Sequence, residues 1–219
     1  VRDVFQQNHM SNLQGNFGIG HVRYPTAGGI GKEFAQPMYV NTPYGISLAH
    51  NGNLTNSKKL AAELFHAERR HINTDSDSEV LLNIFALELS KQEAVFPKPK
   101  DFFAAVEKTH LRINGAYAVV ALITGYGIVA FREPLGIRPL TIGVRKGKNR
   151  NEYVVSSETA LFSATGFKVL RDVEPGEAVF IDNSGKIFTQ QCFQGSEKKP
   201  CIFELSLIHI SEPTRRVEI

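Results

Sequence analysis

The sequence of 219 residues contains no tryptophan and only two methionines and two cysteines. Cys192 and Cys201 lie near one end and cannot make a disulfide framework, so a reducing compartment is the simpler expectation. No stretch approaches the roughly 18 consecutive apolar residues of a membrane span, and no membrane partner is expected. Charge of one sign is not in excess either: 25 basic and 22 acidic residues leave a net +3. Without a dense Lys/Arg block, no nucleic-acid partner is expected; a basic nucleic-acid binder rests on the pI of 8.8 alone. The seven histidines show no ligand spacing, with no His-Glu-x-x-His and no Cys-x-x-Cys, so no metal is assigned. Walker loops, Gly-x-Gly-x-x-Gly and the Gly-x-Ser-x-Gly elbow are absent too. The opening "VRDVFQQNHM" resembles neither a signal peptide nor a presequence, and it starts without Met, as a piece of a longer chain would.

What is present is ordinary globular material, 42% hydrophobic and 21% charged, enough for one large or two small domains. "GNFGIGHV" (15–22) is expected to end in a short strand, and "YPTAGG" (24–29) to be a loop. Alternation in "YGISLAH" (44–50) places Ile46, Leu48 and His50 on one strand face. Thr55 or Asn56 then caps a helix over 57–69 with a core stripe of Leu60, Ala61, Leu64 and Phe65. The stretch 72–89, "INTDSDSEVLLNIFALEL", starts a second helix. Ser76 and Glu79 have capping-box spacing, and the apolar run Val80–Leu89 predicts burial between layers. A third helix fits 101–113. The period then changes to two. Strands are predicted over 115–124, 128–133, 139–144, 152–156, 178–182 and 186–190, with a short helix over 158–164. This order reads as α+β or layered α/β: stacked sheets with helices outside.

Three places carry chemical potential. Asn51-Gly52, in "LAHNGNLTN", sits where the pattern passes straight from a strand into a helix. Taken alone it reads first as a structural turn. Its second reading is an oxyanion hole, an Asn amide and a Gly N–H donating to a developing alkoxide. Arg23, at a strand end before a Pro/Gly loop, is either a surface ion-pair partner or a bidentate fork for a carboxylate. Asp77 is either a helix-start residue or an acceptor for a substrate ammonium group. Together the set would bind an α-amino acid and stabilise a tetrahedral intermediate, but a nucleophile is missing. Cys192 and Cys201 read as inert thiols.

The segments "GIGHVRYPTAG", "AQPMYVNTPYGISLAHNGNLTN", "RRHINTDSDSEVLLNIFALEL", "GAYAVV", "FREPLGIRPLTIG" and "RDVEPGEAVFI" resemble, in order and from about residue 2 to Glu204, the class II glutamine amidotransferase domain of the amidophosphoribosyltransferase family. The resemblance implies an N-terminal-nucleophile hydrolase fold, a four-layer αββα sandwich, here without its first strands and helix. It implies hydrolysis of glutamine by an N-terminal cysteine, with ammonia passed to a phosphoribosyltransferase domain for phosphoribosylamine formation in purine biosynthesis. By matching position, Arg23 would hold the glutamine α-carboxylate and Asp77 its α-ammonium. Asn51 and Gly52 would form the oxyanion hole, and Thr26 would lie near the substrate. The nucleophilic cysteine and the phosphoribosyltransferase domain, with its expected Mg2+, are absent from these residues, so the fragment is expected to be inactive. Some family members hold an iron–sulfur cluster. Cys201 lies near one ligand position, but no cluster is assigned. Residues 205–219, "LSLIHISEPTRRVEI", are unrelated to the family and are expected to be an artefact of sequencing or assembly. The parent is expected to be a cytoplasmic homo-oligomer. The competing reading is a non-catalytic module that binds glutamine.

Overall fold

The computed structural model describes residues 6–22, 32–92, 94–194 and 199. Among the described residues nine strands form two antiparallel sheets. One has six strands in the order β1-β2-β3-β4-β8-β9, the other three in the order β6-β5-β7. The strands are β1 (Met38–Val40), β2 (Ile46–Leu54), β3 (Gly115–Ile123), β4 (Gly127–Arg132), β5 (Thr141–Lys146), β6 (Asn151–Ser156), β7 (Lys168–Asp172), β8 (Glu177–Asp182) and β9 (Ile187–Gln191). The helices are α1 (Gln7–Asn12), α2 (Ser57–His66), α3 (Asp77–Ser90), α4 (Pro99–Arg112) and α5 (Ala160–Thr165).

The side-chain alternation of the large sheet defines the layers. Tyr117, Val119, Ala121 and Ile123 of β3, with Val129, Phe131, Ala178 and Phe180, join the core beneath α3 and α4. Ala118, Ala130, Val179 and Ile181 point the other way and meet Ile142, Tyr153 and Val155 of the small sheet. Burial on both faces explains why these strands read as unbroken apolar runs. Helix α5 covers the outer face of the small sheet: a Cβ added to Gly143, the neighbour of inward-facing Ile142, would lie 3.1 Å from the Phe162 ring. The result is helix, sheet, sheet, helix, as the sequence implied.

Helix α3 is buried from Ser78 to Leu89, which accounts for its nearly all-round apolar surface. Its start differs from the expected capping box. Ser76 caps through Ser78 N–H at 3.3 Å, but Glu79 does not reach back to Ser76. Instead its carboxylate accepts the backbone and side-chain donors of Asn73 and Thr74 at 2.7–2.8 Å, pinning the preceding loop. Four further differences concern element limits. Residues 15–22 form no strand: three glycines in six residues weaken extended pairing, and Phe17 packs against the sheets without joining either. Phe65 is 54% exposed, one step outside the Leu60–Leu64 stripe. Strands β1 and β7 are short additions; β7 is an edge strand with exposed Val169 and Leu170, so its period carried no inward face to detect. Residues 49–54 continue β2 rather than turning into α2.

Asn56 occupies the N-cap position of α2 without capping it. Its side chain donates to Arg112 O at 2.9 Å and accepts Asn114 N–H at 3.0 Å, tying the β2–α2 junction to the α4–β3 junction. Asn56→Ala strands both groups, and a loss of about 1–3 kcal/mol is expected in urea unfolding. An unchanged midpoint would show that water replaces the side chain without cost.

Two buried histidines make stability depend on pH. His110 stacks beside Tyr117, whose hydroxyl lies 2.8 Å from its Nδ1. Burial lowers the pKa of His110 to about 4. His50 is lowered to about 4 as well, by burial above all, against the opposing pull of Asp77. Both folded pKa values lie below the unfolded value near 6.5, so the unfolded chain takes up protons first. Stability is therefore full above about pH 6.5 and is lost as pH falls toward 4, by about 1.4 kcal/mol per pH unit for each ring. Urea midpoints between pH 7 and 4.5 check this, and His110→Gln should reduce the slope. A pH-independent midpoint across that window would contradict the assignment.

Candidate functional site

The site grows from an unfinished strand edge. β2 pairs with β3 along its whole length, from Ile46 opposite Ile123 to Leu54 opposite Gly115. On its other side β1 reaches only from Ile46 to Leu48. Beyond Leu48, strand alternation turns the N–H groups of His50, Gly52 and Leu54 toward an edge that no described strand covers. Side chains meet two of them. Gln36 Oε1 accepts His50 N–H at 2.7 Å, and Asp77 Oδ2 accepts Leu54 N–H at 2.9 Å. Gly52 lies between these two fastened donors.

Asn51-Gly52 is thus neither a hairpin turn nor a strand-to-helix junction; it is inside β2. The dipeptide is there because of Gly52. Its φ is +146°, and a Cβ on it would sit 1.9 Å from Ala116 O. No other residue fits that close approach of backbones. Asn51, half-buried, stands opposite Ala118, which faces the small sheet. His50 takes the opposite face with Ile46 and Leu48, as the alternation predicted, and is 4% exposed. Asp77 is the first residue of α3. It leaves the capping to Ser76 and turns its carboxylate to β2, 3.8 Å from His50 Nε2. The structure therefore brings Asn51, Gly52 and Asp77 to one strand edge. Arg23 and Thr26 lie outside the described residues.

Sequence reasoning overlooked three contributors. Gln36 has no local signal, since its role depends on where β1 stops. His50 was placed on the correct face, but the carboxylate beside it comes from another element. Third, the turn "EPLGIR" is built around Glu133, which is fully buried. Its carboxylate accepts Leu135 N–H at 2.6 Å, Arg138 N–H at 3.1 Å and also Ile137 N–H. Arg132 ties the same turn from the other side, donating to the carbonyls of Gly136, Arg138 and Val173 at 2.6–2.9 Å. This holds Arg138 where its charge is felt by His50.

Cys192 is buried, and burial pushes its thiol up to about 12, so it is not a thiolate at neutral pH. Among the described residues no group of three or more His, Cys, Asp or Glu side chains is placed to hold a metal ion. No described helix is long and apolar enough to cross a membrane. A groove of about 570 Å³ lined by Ser57, Lys58, Phe65, His71, Thr74 and Asp75 shares the loop before α3 but does not include Asn51, Gly52 or Asp77.

The chain is similar to known proteins over most of its length. Residues 30–164 match the family described as glutamine amidotransferase domain. The chain is 55% identical over 204 residues to the amidophosphoribosyltransferase of Pseudomonas aeruginosa and 56% identical over 205 residues to that of Escherichia coli, covering 93% of this chain and 41% of each relative. It is 45% identical over 208 residues to the enzyme of Saccharomyces cerevisiae, again covering 93% of this chain and 41% of the relative. Among solved structures it superposes on the glutamine phosphoribosylpyrophosphate amidotransferase of B. subtilis with a TM-score of 0.67 and 32% identity, over 84% of this chain and 36% of that one. An allosteric regulatory enzyme of purine biosynthesis gives a TM-score of 0.68 and 33% identity, over 84% of this chain and 37% of that one. The chain spans about two fifths of the length of the curated relatives it matches. With its four layers, its β2 edge and the match over residues 30–164, the chain belongs to the glutamine amidotransferase domain family.

Proposed function

We propose that the chain is the glutamine-binding part of an amidophosphoribosyltransferase, in which glutamine is hydrolysed and its ammonia passed to a phosphoribosyltransferase domain to form phosphoribosylamine from phosphoribosyl pyrophosphate. The observation that carries the reading is the β2 edge, with Gly52 N–H between two donors already fastened by Gln36 and Asp77. In this reading Gly52 N–H and the Asn51 amide donate to the oxyanion that forms when the amide carbonyl is attacked. Asp77 accepts from the α-ammonium. An ionised carboxylate has about four acceptor positions, so the bond from Leu54 leaves it capacity. Arg23 pairs with the α-carboxylate, and Thr26 lies beside the ligand.

Residues 1–204 form the amidotransferase unit, and 205–219 stand outside it. The attacking thiolate is the family's N-terminal cysteine, which these residues do not contain. The metal chemistry of the reaction, through Mg2+, belongs to the phosphoribosyltransferase domain. The parent is a cytoplasmic homo-oligomer.

Calorimetry of the purified chain with glutamine tests the reading. Removing one hydrogen bond to a charged group costs about 1.5–3 kcal/mol, so Asp77→Asn and Arg23→Ala should each weaken binding by about tenfold or more. Equal affinity in both variants would refute the assignment. No ammonia release is expected from these residues alone; ammonia release that Asn51→Ala abolishes would show a nucleophile inside the chain. Gly52→Ala should fail at an earlier level. Its Cβ would lie 1.9 Å from Ala116 O, so the β2–β3 pair must separate, and unfolding should come well over about 1 kcal/mol earlier.

A further inference from the structure

His50 is unusual for a buried residue. It is 4% exposed, and neither ring nitrogen hydrogen-bonds to a described group. An unsatisfied buried polar group costs about 1–3 kcal/mol, and an apolar side chain would fill the same space without that cost. The ring lies on the face of β2 that it shares with Ile46 and Leu48, which pack under the helices. Three charged or titratable groups face it: Asp77 from α3, His21 from the segment before the first strand, and Arg138 from the turn built on Glu133. Its Nε2 is 3.8 Å from Asp77 Oδ2. That is about 0.8 Å beyond hydrogen-bond distance, within reach of a small rotation of the carboxylate. Burial keeps the ring uncharged, and Arg138 and His21 act in the same sense. A neutral imidazole carries a single N–H, and the adjacent carboxylate favours that proton on Nε2.

We propose that His50 is a positioning residue for amino-acid binding: its neutral Nε2–H shares Asp77 Oδ2 with Leu54 N–H and so aims Oδ1 at the ammonium group of the ligand. The proposal rests on the reading of Asp77 given above. It explains why an imidazole is kept where leucine would pack at less cost. Leu54 N–H alone restrains Asp77 from one side, along the strand edge. A second donor from beneath the strand fixes the rotation of the carboxylate plane. Burial above all keeps the ring in its uncharged form, and Arg138, held by the Glu133 turn, acts in the same sense, so that His50 donates to Asp77 without neutralising it.

The test uses the purified chain with glutamine as ligand, and compares wild type, His50→Leu, His50→Gln and Asp77→Asn by calorimetry and thermal unfolding. His50→Leu should unfold at or above the wild-type temperature yet bind glutamine about tenfold more weakly, the loss of a hydrogen bond to a charged group. His50→Gln, whose amide nitrogen can take the place of Nε2, should restore binding to within about threefold of wild type. A 15N spectrum at pH 7 should show His50 neutral and protonated on Nε2, and Asp77→Asn should shift that signal. If His50→Leu binds as wild type while Asp77→Asn does not, His50 has no positioning role and the glutamine reading stands. If wild type fails to bind, or Asp77→Asn binds as tightly as wild type, the glutamine reading fails and the proposal falls with it. Protonation on Nδ1, or failure of His50→Gln to rescue, would also overturn it.

Discussion

A strand edge cannot be left with buried, unmet donors, and the site of this protein is the local answer to that rule. β2 needs all nine of its residues to pair with β3, but β1 offers it only three partners. The remaining edge is closed by a glutamine from the chain before β1 and by an aspartate from the start of a helix. Asp77 is therefore part of the sheet's hydrogen bonding as well as of the helix. Its position is set by the core, since the helix it begins is buried along twelve successive residues and cannot slide. In the proposed reading, a carboxylate with one oxygen already fastened in this way has less freedom to lose when the ligand binds.

The same principle governs the loops that surround the edge. Burial alone would raise the pKa of Glu79, but the donors of Asn73 and Thr74 outweigh it and hold the carboxyl below its ordinary range. Glu133 repeats the device one loop further on, with three backbone N–H groups converging on a carboxylate that has no contact with solvent. These carboxylates are acceptors for backbone rather than partners in surface ion pairs, so salt screens them weakly. Both turn irregular chain into a rigid frame on either side of β2, one before α3 and one after β4. Substitution of either by alanine removes several backbone partners at once, unlike the loss of an exposed pair such as Arg145–Glu152.

Much of the frame was legible in the sequence, and the failures share a cause. Long apolar runs such as Gly115–Ile123 and Val80–Leu89 announced buried strands and a buried helix, because burial on both faces suppresses alternation. Asn51, Gly52 and Asp77 were visible as a set, and the structure does bring them to one place. What stayed hidden depended on partners far away in sequence. Asn51-Gly52 has the composition of a turn, and only the approach of Ala116 shows why glycine sits in a strand. Glu79 has capping-box spacing, but the loop before it competes for the carboxylate and wins with four donors. Gln36 is unremarkable until β1 is seen to end two residues before His50. Local patterns report faces and periods; they do not report which backbone groups remain unpaired once strands of unequal length are laid side by side.

The spacing along the edge adds an argument of its own. Gly52 and Leu54 are two residues apart on a regular strand, so their N–H groups are separated by about 6.8 Å. In the proposed reading the first donates to the ligand's carbonyl oxygen; the second is where Asp77 is fastened. An extended glutamine separates its amide oxygen from its α-nitrogen by about 6 Å on ordinary bond lengths. In the proposed reading the ligand lies along the edge with its amide at Gly52 and its ammonium at Asp77. Asparagine, one methylene shorter, falls about 1.3 Å short of spanning both ends. A strand repeat is a stiff ruler, since neither end can shift without breaking the β2–β3 pairing. In the proposed reading, the fixed places of Gly52 and Asp77 along this edge contribute to selectivity for side-chain length.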